Sequence, residues 1–482
     1  MLLKTIARSI PLSVMMTLLE LTNVGSFAPV SRSVRASSVS TSPFSTSSVS
    51  TSSFSTSSFS TPQFVASSAP ALAAQKTPTL DPEVLVKLLD QGSLRSAIRL
   101  VERGWKRQYE DYAQRPLPSR FLEARGISRA LRRLQRKTGK KTALIYAIPT
   151  PKHLELLLLT PDGTLIHRRT LVPRTQLLQT ARGFRSAIAD DSTLPSQYIP
   201  RGQTLHQWMI VPLEAVLKAQ KIDTLIFCLG GGLRSLPLAA LHDGEQFLVE
   251  RYSLAIIPAF NLLDRRPARL QNARILAMGA SEFKEQEPLP AVPLELTRVV
   301  DRPQRGETWL NQDFTIAQLK SRRKVYPFSI IHLATHAKFL PGKLQQSYIQ
   351  FWDNSLRLNQ IQDLELRSPT VSLLVLSACQ TALGDLQAEL GFAGLAIQSG
   401  SQAALASLWS VSDAGTLSLM ESFYRQLQTA PTKAEALRQT QMAMLKASVK
   451  PPSALPLNPS APPMNFSHPY YWSAFTVIGN PW

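Results

Sequence analysis

Between residues 143 and 408 the chain carries a series of short, apolar, β-branched runs separated by helix-length patterns, and this alternation restricts the fold more than any other feature. The runs are Ala143 to Ile148, Leu154 to Leu159, Thr164 to Leu171, Thr224 to Leu229, Arg274 to Gly279, Phe328 to Ala334, Val371 to Ala378 and Ala403 to Leu408. Pro161-Asp162-Gly163 is a turn between the second and third, so the first three read as a β-meander. Between most of the later runs lie helical patterns such as Val292 to Val300 and Glu389 to Gln398. Strands alternating with helices predict an α/β fold with a doubly wound, mostly parallel sheet and helices on both faces, because a right-handed crossover is the ordinary link between parallel neighbours. Continuously apolar strands suit a sheet covered on both sides.

Upstream of the runs the composition changes twice. Met1 to Ala28 places Lys4 and Arg8 before the apolar run Ile10 to Leu19 and reaches Ser26-Phe27-Ala28, small residues of the kind a signal peptidase reads. A signal peptide over 1–28, and with it export to the periplasm or beyond the cell, is the expectation. The alternative is a weak anchor or an amphipathic start on a cytoplasmic protein, since Glu20 and Asn23 interrupt the apolar stretch and Pro29 would follow the cut. The run falls short of the roughly 20 apolar residues that span a bilayer, and no later segment supplies them. Residues 29–78 repeat a Ser/Thr theme, as in Ser45-Thr46-Ser47-Ser48-Val49-Ser50, and cannot bury enough apolar surface to offset chain entropy; they read as a disordered linker.

Residues 79–142 read as a small basic helical region. Asp81-Pro82-Glu83 opens one helix and Phe121 to Leu134 forms another. The chain has 53 Lys and Arg against 33 Asp and Glu, and much of the excess lies between Arg95 and Lys141. No aromatic platform is interleaved with these cations, so they read as a solvated face and no specific nucleic-acid partner is expected. No period of about 34 residues marks a tetratricopeptide array.

With two cysteines, Cys228 and Cys379, neither a disulfide framework nor a four-thiolate zinc site can form. Cys228 falls inside an apolar run and reads as core. Gly230-Gly231-Gly232 after it lacks the Lys-Ser/Thr of a phosphate-binding loop and reads as a turn. His332 reads as a packed strand histidine, because a zinc pair with His336 would need further ligands that the sequence does not place; no metal or cofactor is expected.

Ligands of open α/β sheets sit beyond the carboxyl ends of the strands. The run from Phe328 leads to His336 and the run from Val371 leads to Cys379. On neighbouring strands the two project over one edge, within reach for proton transfer. A thiol with an ordinary pKa near ~8.5 is mostly protonated at neutral pH, and an adjacent imidazole converts it to the attacking thiolate.

The segments Ile331-His332-Leu333-Ala334-Thr335-His336, Leu376-Ser377-Ala378-Cys379-Gln380-Thr381-Ala382-Leu383-Gly384, Leu408-Trp409-Ser410-Val411-Ser412-Asp413 and His468-Pro469-Tyr470-Tyr471-Trp472 resemble the CHAT family of caspase-like, separase-related domains, abundant in bacteria and notably in cyanobacteria. The resemblance covers residues 143–482. It implies a cysteine endopeptidase acting on a protein or peptide substrate, with His336 as base, Cys379 as nucleophile and the backbone N–H groups of Ala337 and Cys379 as the oxyanion hole. Relatives usually carry Gly where Ala337 stands, which implies weaker catalysis, and many carry the repeat arrays absent here. Separase-like kin imply cleavage after a basic residue, with Asp413 and Asp385 assigned to the substrate pocket. For Asp413 a helix N-cap is the competing reading. The competing function is a catalytically weak interaction or signalling module.

Overall fold

Where the apolar runs were continuous, they become strands that are buried at every residue. β1 (Thr142–Pro149), β2 (Leu154–Leu159), β4 (Thr224–Leu229), β6 (Ile275–Gly279) and β12 (Ala403–Ser407) are all of this kind, as is β5 (Ser253–Ile257), which lies in none of those runs, and a strand with no exposed residue must be covered on both faces. The computed structural model describes residues 80–117, 121–301, 305–342, 344–381, 385–449 and 465–482, and for Ala378 and Cys379 the backbone only. The expected signal peptide and Ser/Thr linker lie outside the described residues.

The remaining strands are β3 (Leu165–Thr170), β7 (Gly306–Leu310), β8 (Ile330–Phe339), β9 (Tyr348–Gln350), β10 (Ser355–Arg357), β11 (Leu373–Thr381) and β13 (Phe475–Gly479). Together the described strands form one sheet in the order β10-β9-β8-β11-β12-β13-β5-β4-β1-β2-β3, with β6 pairing β8 and β7 pairing β6. The sheet is mostly parallel but has two blocks. β7, β6, β8, β11 and β12 run one way, β13, β5, β4 and β1 the other, and the blocks meet at the antiparallel pair β12–β13. The meander β1-β2-β3 is the far end of this sheet rather than a separate layer.

The early helices are α1 (Pro82–Asp90), α2 (Leu94–Ala113), α3 (Ala124–Thr138), α4 (Arg174–Ile188), α5 (Pro195–Met209), α6 (Val211–Ala219) and α7 (Leu248–Arg251). The later ones are α8 (Val292–Val299), α9 (Ile316–Val325), α10 (Leu386–Ala393), α11 (Leu395–Ser399), α12 (Asp413–Leu427), α13 (Lys433–Leu445) and α14 (Pro469–Trp472). The helix read as Glu389 to Gln398 is thus two helices, α10 and α11. On α3 the apolar side, Ile127, Leu131 and Leu134, is buried, while Arg125, Arg129, Arg132, Arg133, Arg136 and Lys137 are exposed. The basic residues form the outward face of this helix.

The basic helical region is built into the sheet's core. Glu102 of α2 is fully buried and takes four donors: the Tyr146 hydroxyl at 2.8 Å, and the Phe260 N–H, Asn261 N–H and Asn261 Nδ2, each at 2.9 Å. Burial pushes its carboxyl pKa up against those hydrogen bonds. Removing the acceptor would leave the Tyr146 hydroxyl and the Phe260 and Asn261 N–H groups without it, at about 1 kcal/mol or more each, while Asn261 Nδ2 keeps the Leu122 carbonyl at 3.2 Å. Glu102→Ala should therefore lower unfolding stability by about 3 kcal/mol or more in urea titration, in one transition covering helices and sheet. A loss under about 1 kcal/mol would show that α2 is not anchored this way.

Candidate functional site

Strand β8 changes partner midway along its length. Its first half, Ile330 to Ala334, pairs with β6, and Ala337 and Lys338 pair with β9 on the same side. His336 falls at the exchange. The last residue of β6, Gly279, lies so close to β8 that a Cβ on it would sit 2.4 Å from the Ala334 carbonyl oxygen, and the Ala280 N–H donates to that oxygen at 3.1 Å. On the other side β11 follows the whole of β8, with a bulge: Leu333 pairs with Leu376 but His336 with Ala378, so β8 uses one residue more. Cys379 then pairs with Ala337. Strands lie about 4.8 Å apart and rise about 3.3 Å per residue, so the backbones of His336 and Cys379 are diagonal neighbours roughly 6 Å apart. His336 does not end its strand as expected; β8 continues to Phe339.

The segment after β6, residues 281–291, straps across the exchange. It is closed by Leu289 N–H donating to the Ser281 carbonyl (2.9 Å) and tied to Asn311, whose Oδ1 accepts from Ser281 N–H (2.9 Å). His336 Nε2 lies 2.8 Å from the Glu287 carbonyl oxygen, and the Phe283 ring meets the imidazole edge-on with centroids 4.6 Å apart. A carbonyl can only accept, so Nε2 carries the proton and Nδ1 holds the lone pair. Burial lowers the His336 pKa, aided by the Lys338 charge and opposed by the Glu287 carbonyl and carboxylate. The ring is therefore neutral at pH 7 and fit to accept a proton through Nδ1.

Ala337 is buried and lies between two paired strands, opposite Cys379 on one side and Ile349 on the other. An N–H in that position is aimed at one of the neighbours. The oxyanion role implied for it by resemblance requires the ladder to open there.

The two carboxylates that the resemblance implies for the substrate pocket are not brought together in one role. Asp385 is the N-cap of α10, accepting from Gln387 N–H at 2.9 Å and Ala388 N–H at 2.7 Å. Asp413 does not cap its own helix: Ser412 does, its hydroxyl accepting from Gly415 N–H at 3.2 Å. Asp413 is the first helical residue, and its Oδ2 accepts from Ala291 N–H at the end of the strap, 2.5 Å away. Burial pushes the Asp413 pKa up to about 6, with the Ala291 N–H opposing and the Glu295 carboxylate adding.

The two tail motifs brace each other. Trp409 Nε1 donates to the Tyr470 carbonyl and the Tyr470 hydroxyl to the Ser410 carbonyl, each at 3.1 Å, which fixes the loop that delivers Asp413. Arg185 of α4, which the sequence reading missed, donates at 2.6 Å to the carbonyls of Thr381 and Leu408, gripping the chain just past Cys379 and just past β12. Burial lowers its pKa to about 10, opposed by Glu389. The glycine run is a turn that takes the chain's own carboxylate: Gly232 N–H and Ser235 Oγ each donate at 2.8 Å to Glu389, and Gly232 adopts φ +93°. Cys228 is fully buried, and burial holds its thiol well above its ordinary pKa. Among the described residues no group of three or more His, Cys, Asp or Glu side chains is placed to hold a metal ion, and no helix is long and apolar enough to cross a membrane.

Residues 200–480 match the CHAT domain family. No curated protein matches the chain in sequence. Among solved structures the fold is similar to a chain of the Saccharomyces cerevisiae separase–securin complex, with TM-score 0.50, 10% identity, and coverage of 81% of this chain and 34% of that one. The chain thus spans about a third (34%) of the length of that relative. A complex of the pro- and mature domains of Porphyromonas gingivalis RgpB aligns with TM-score 0.36 and 10% identity over 63% of this chain and 74% of that one.

The raised Asp413 pKa gives a stability test. Its folded-state value lies above the ordinary 3.8, so the stability it contributes is full below about pH 4 and is lost as pH rises through about 6. Asp413→Asn, whose carbonyl can still take the Ala291 N–H, should raise Tm over the parent at pH 8, with the gain vanishing near pH 4. An equal shift at both pH values would mean the carboxyl does not titrate in this window.

Proposed function

The chain belongs to the CHAT domain family, and from that premise we propose that it is a caspase-like cysteine endopeptidase with His336 as general base and Cys379 as nucleophile. The observation that carries the proposal is the geometry of His336, on the strand next to that of Cys379 and with Nε2 2.8 Å from the Glu287 carbonyl oxygen of the strap. The Cys379 thiol gives its proton to Nδ1, and the thiolate attacks the carbonyl carbon of the cleaved peptide bond. The imidazolium passes the proton to the leaving amine as the carbon–nitrogen bond breaks. Water then adds to the thioester with His336 as base again, releasing the acid and the thiol. The second reading, a CHAT-type module that binds protein partners without cutting them, is favoured by one observation, the enclosure of Ala337 between β11 and β9.

A peptidyl-arginine reagent with a thiol-reactive group separates the two. It should add one inhibitor mass to the parent and none to Cys379→Ala, and Cys379→Ala and His336→Ala should each lose at least about a thousandfold in kcat. A parent that takes up no reagent and cleaves no peptide would leave the binding module.

Specificity for a basic residue is assigned to Asp413. A substrate guanidinium would displace the Ala291 N–H and pair with the carboxylate by two charge-assisted hydrogen bonds, and a substrate without the cation forfeits on the order of ~2 kcal/mol. Arginine should then exceed glutamine in kcat/KM by more than about tenfold with the parent and by much less with Asp413→Asn. The ratio should also fall below about pH 6, where the carboxyl gains a proton. A ratio that ignores both pH and the substitution would remove Asp413 from the pocket.

A further inference from the structure

We propose that Glu295 and His332 are positioning residues for the base: one segment of chain grips β8 at two histidines, through the Glu287 carbonyl at His336 and through the Glu295 carboxylate at His332, and the second grip sets how the first holds the imidazole. The inference rests on the reading of His336 as the general base.

His332 and Glu295 are 0% and 1% exposed, with Nε2 and Oε1 2.9 Å apart. The Tyr424 hydroxyl of α12 lies 3.1 Å from the other ring nitrogen, Nδ1. Neither Glu295 oxygen has a hydrogen bond of ordinary geometry among the described residues, so the imidazole is the group that offsets burial of this carboxylate. The helix packs through Val292, Leu296 and Val299 as well, and an apolar residue at 295 would fill the space without the cost of desolvating an acid. What the pair adds is direction. A close polar contact between a helix and the strand beneath it ties the helix to one position along and around its axis, where apolar contacts tolerate sliding.

That direction reaches His336 through short, closed connections. Glu295 N–H donates to the Ala291 carbonyl at 2.8 Å, Val292 N–H to the Leu289 carbonyl at 3.1 Å and Leu289 N–H to the Ser281 carbonyl at 2.9 Å. The strap bearing Glu287 is thus the N-terminal continuation of the turn that bears Glu295. The β8 bulge lies between the two histidines, so gripping the strand on both sides holds the irregularity in one form. A metal pair, the other use of two histidines on a strand, lacks further ligands among the described residues.

The test uses the full chain labelled with nitrogen-15 histidine, its His336 signals assigned with His336→Gln. In the parent the His336 nitrogens should report a neutral ring protonated at Nε2. Glu295→Gln should mix the two tautomers or broaden the signals, and should lower kcat on an arginyl peptide by about tenfold with KM within about twofold. Tyr424→Phe, which removes one hydroxyl, should do the same more weakly. A Glu295→Gln protein with lowered Tm but unchanged His336 nitrogen shifts and unchanged kcat would make the pair a packing feature and overturn the proposal. Should Glu295→Gln not fold, the double variant Glu295→Leu/His332→Leu keeps the volume without the charge, and the same two readouts decide. If the parent cleaves no peptide, the peptidase reading falls, while the nitrogen shifts still decide whether the pair sets His336.

Discussion

Strand β8 is paired to β6 through Ala334 and to β9 from Ala337, and the backbone between the two has no ladder on that side. Buried backbone polar groups must find partners, so a strand that changes neighbours needs chain from elsewhere to fill the gap. Here the Ala280 N–H takes the Ala334 carbonyl, and the Thr335 hydroxyl donates to the Gln350 carbonyl at 2.7 Å. The strap that leaves β6 at this point passes over His336. The placement of His336, the Glu287 carbonyl against its ring and the bulge beside it all sit at one exchange of strand partners.

Polar groups around the site are settled by the chain's own groups, and mostly across long sequence distances. Arg185 joins the end of β11 to the chain after β12, Glu389 draws the Gly230 turn onto α10, and Asp413 holds the end of the strap. Each is a charged group wholly or partly out of water, which costs stability unless its partners are in place. These ties therefore favour one arrangement of the site loops over the looser ones that apolar packing alone would permit.

The sheet was legible because continuous apolar runs leave direct marks in the sequence, and the neighbouring strands of His336 and Cys379 because a four-part motif does. Boundaries were less so. Phe328 to Ala334 was read as the strand that is Ile330–Phe339, because past Ala334 the half-buried alternation His336, Ala337, Lys338, Phe339 ends the apolar run while pairing goes on. The short strands β5 and β13 and the polar edge strand Gly306–Leu310 were missed: five residues without a turn signal give little pattern to read. Glu287 was invisible for a different reason, since it acts through a backbone carbonyl that any residue would supply. Asp385 and Asp413 look alike in sequence, each heading a helix after a strand, yet one caps its helix and the other yields the cap to Ser412. A register of one residue separates those roles.

β13 is the join between the two halves of the sheet, hydrogen-bonded to β12 on one side and β5 on the other, and it comes from residues 475–479. A chain emerging from the ribosome can assemble β1, β4 and β5 early and β6, β8, β11 and β12 later, but it cannot unite them until these residues arrive. Until then β5 and β12 present unpaired edges, the state in which strands recruit foreign partners. The contacts that close the sheet are among the most distant in sequence, which slows the final step of folding. A nascent chain must thus pass through a period with two half-sheets and no finished site, and the strand that ends that period is nearly the last part of the described fold to be made.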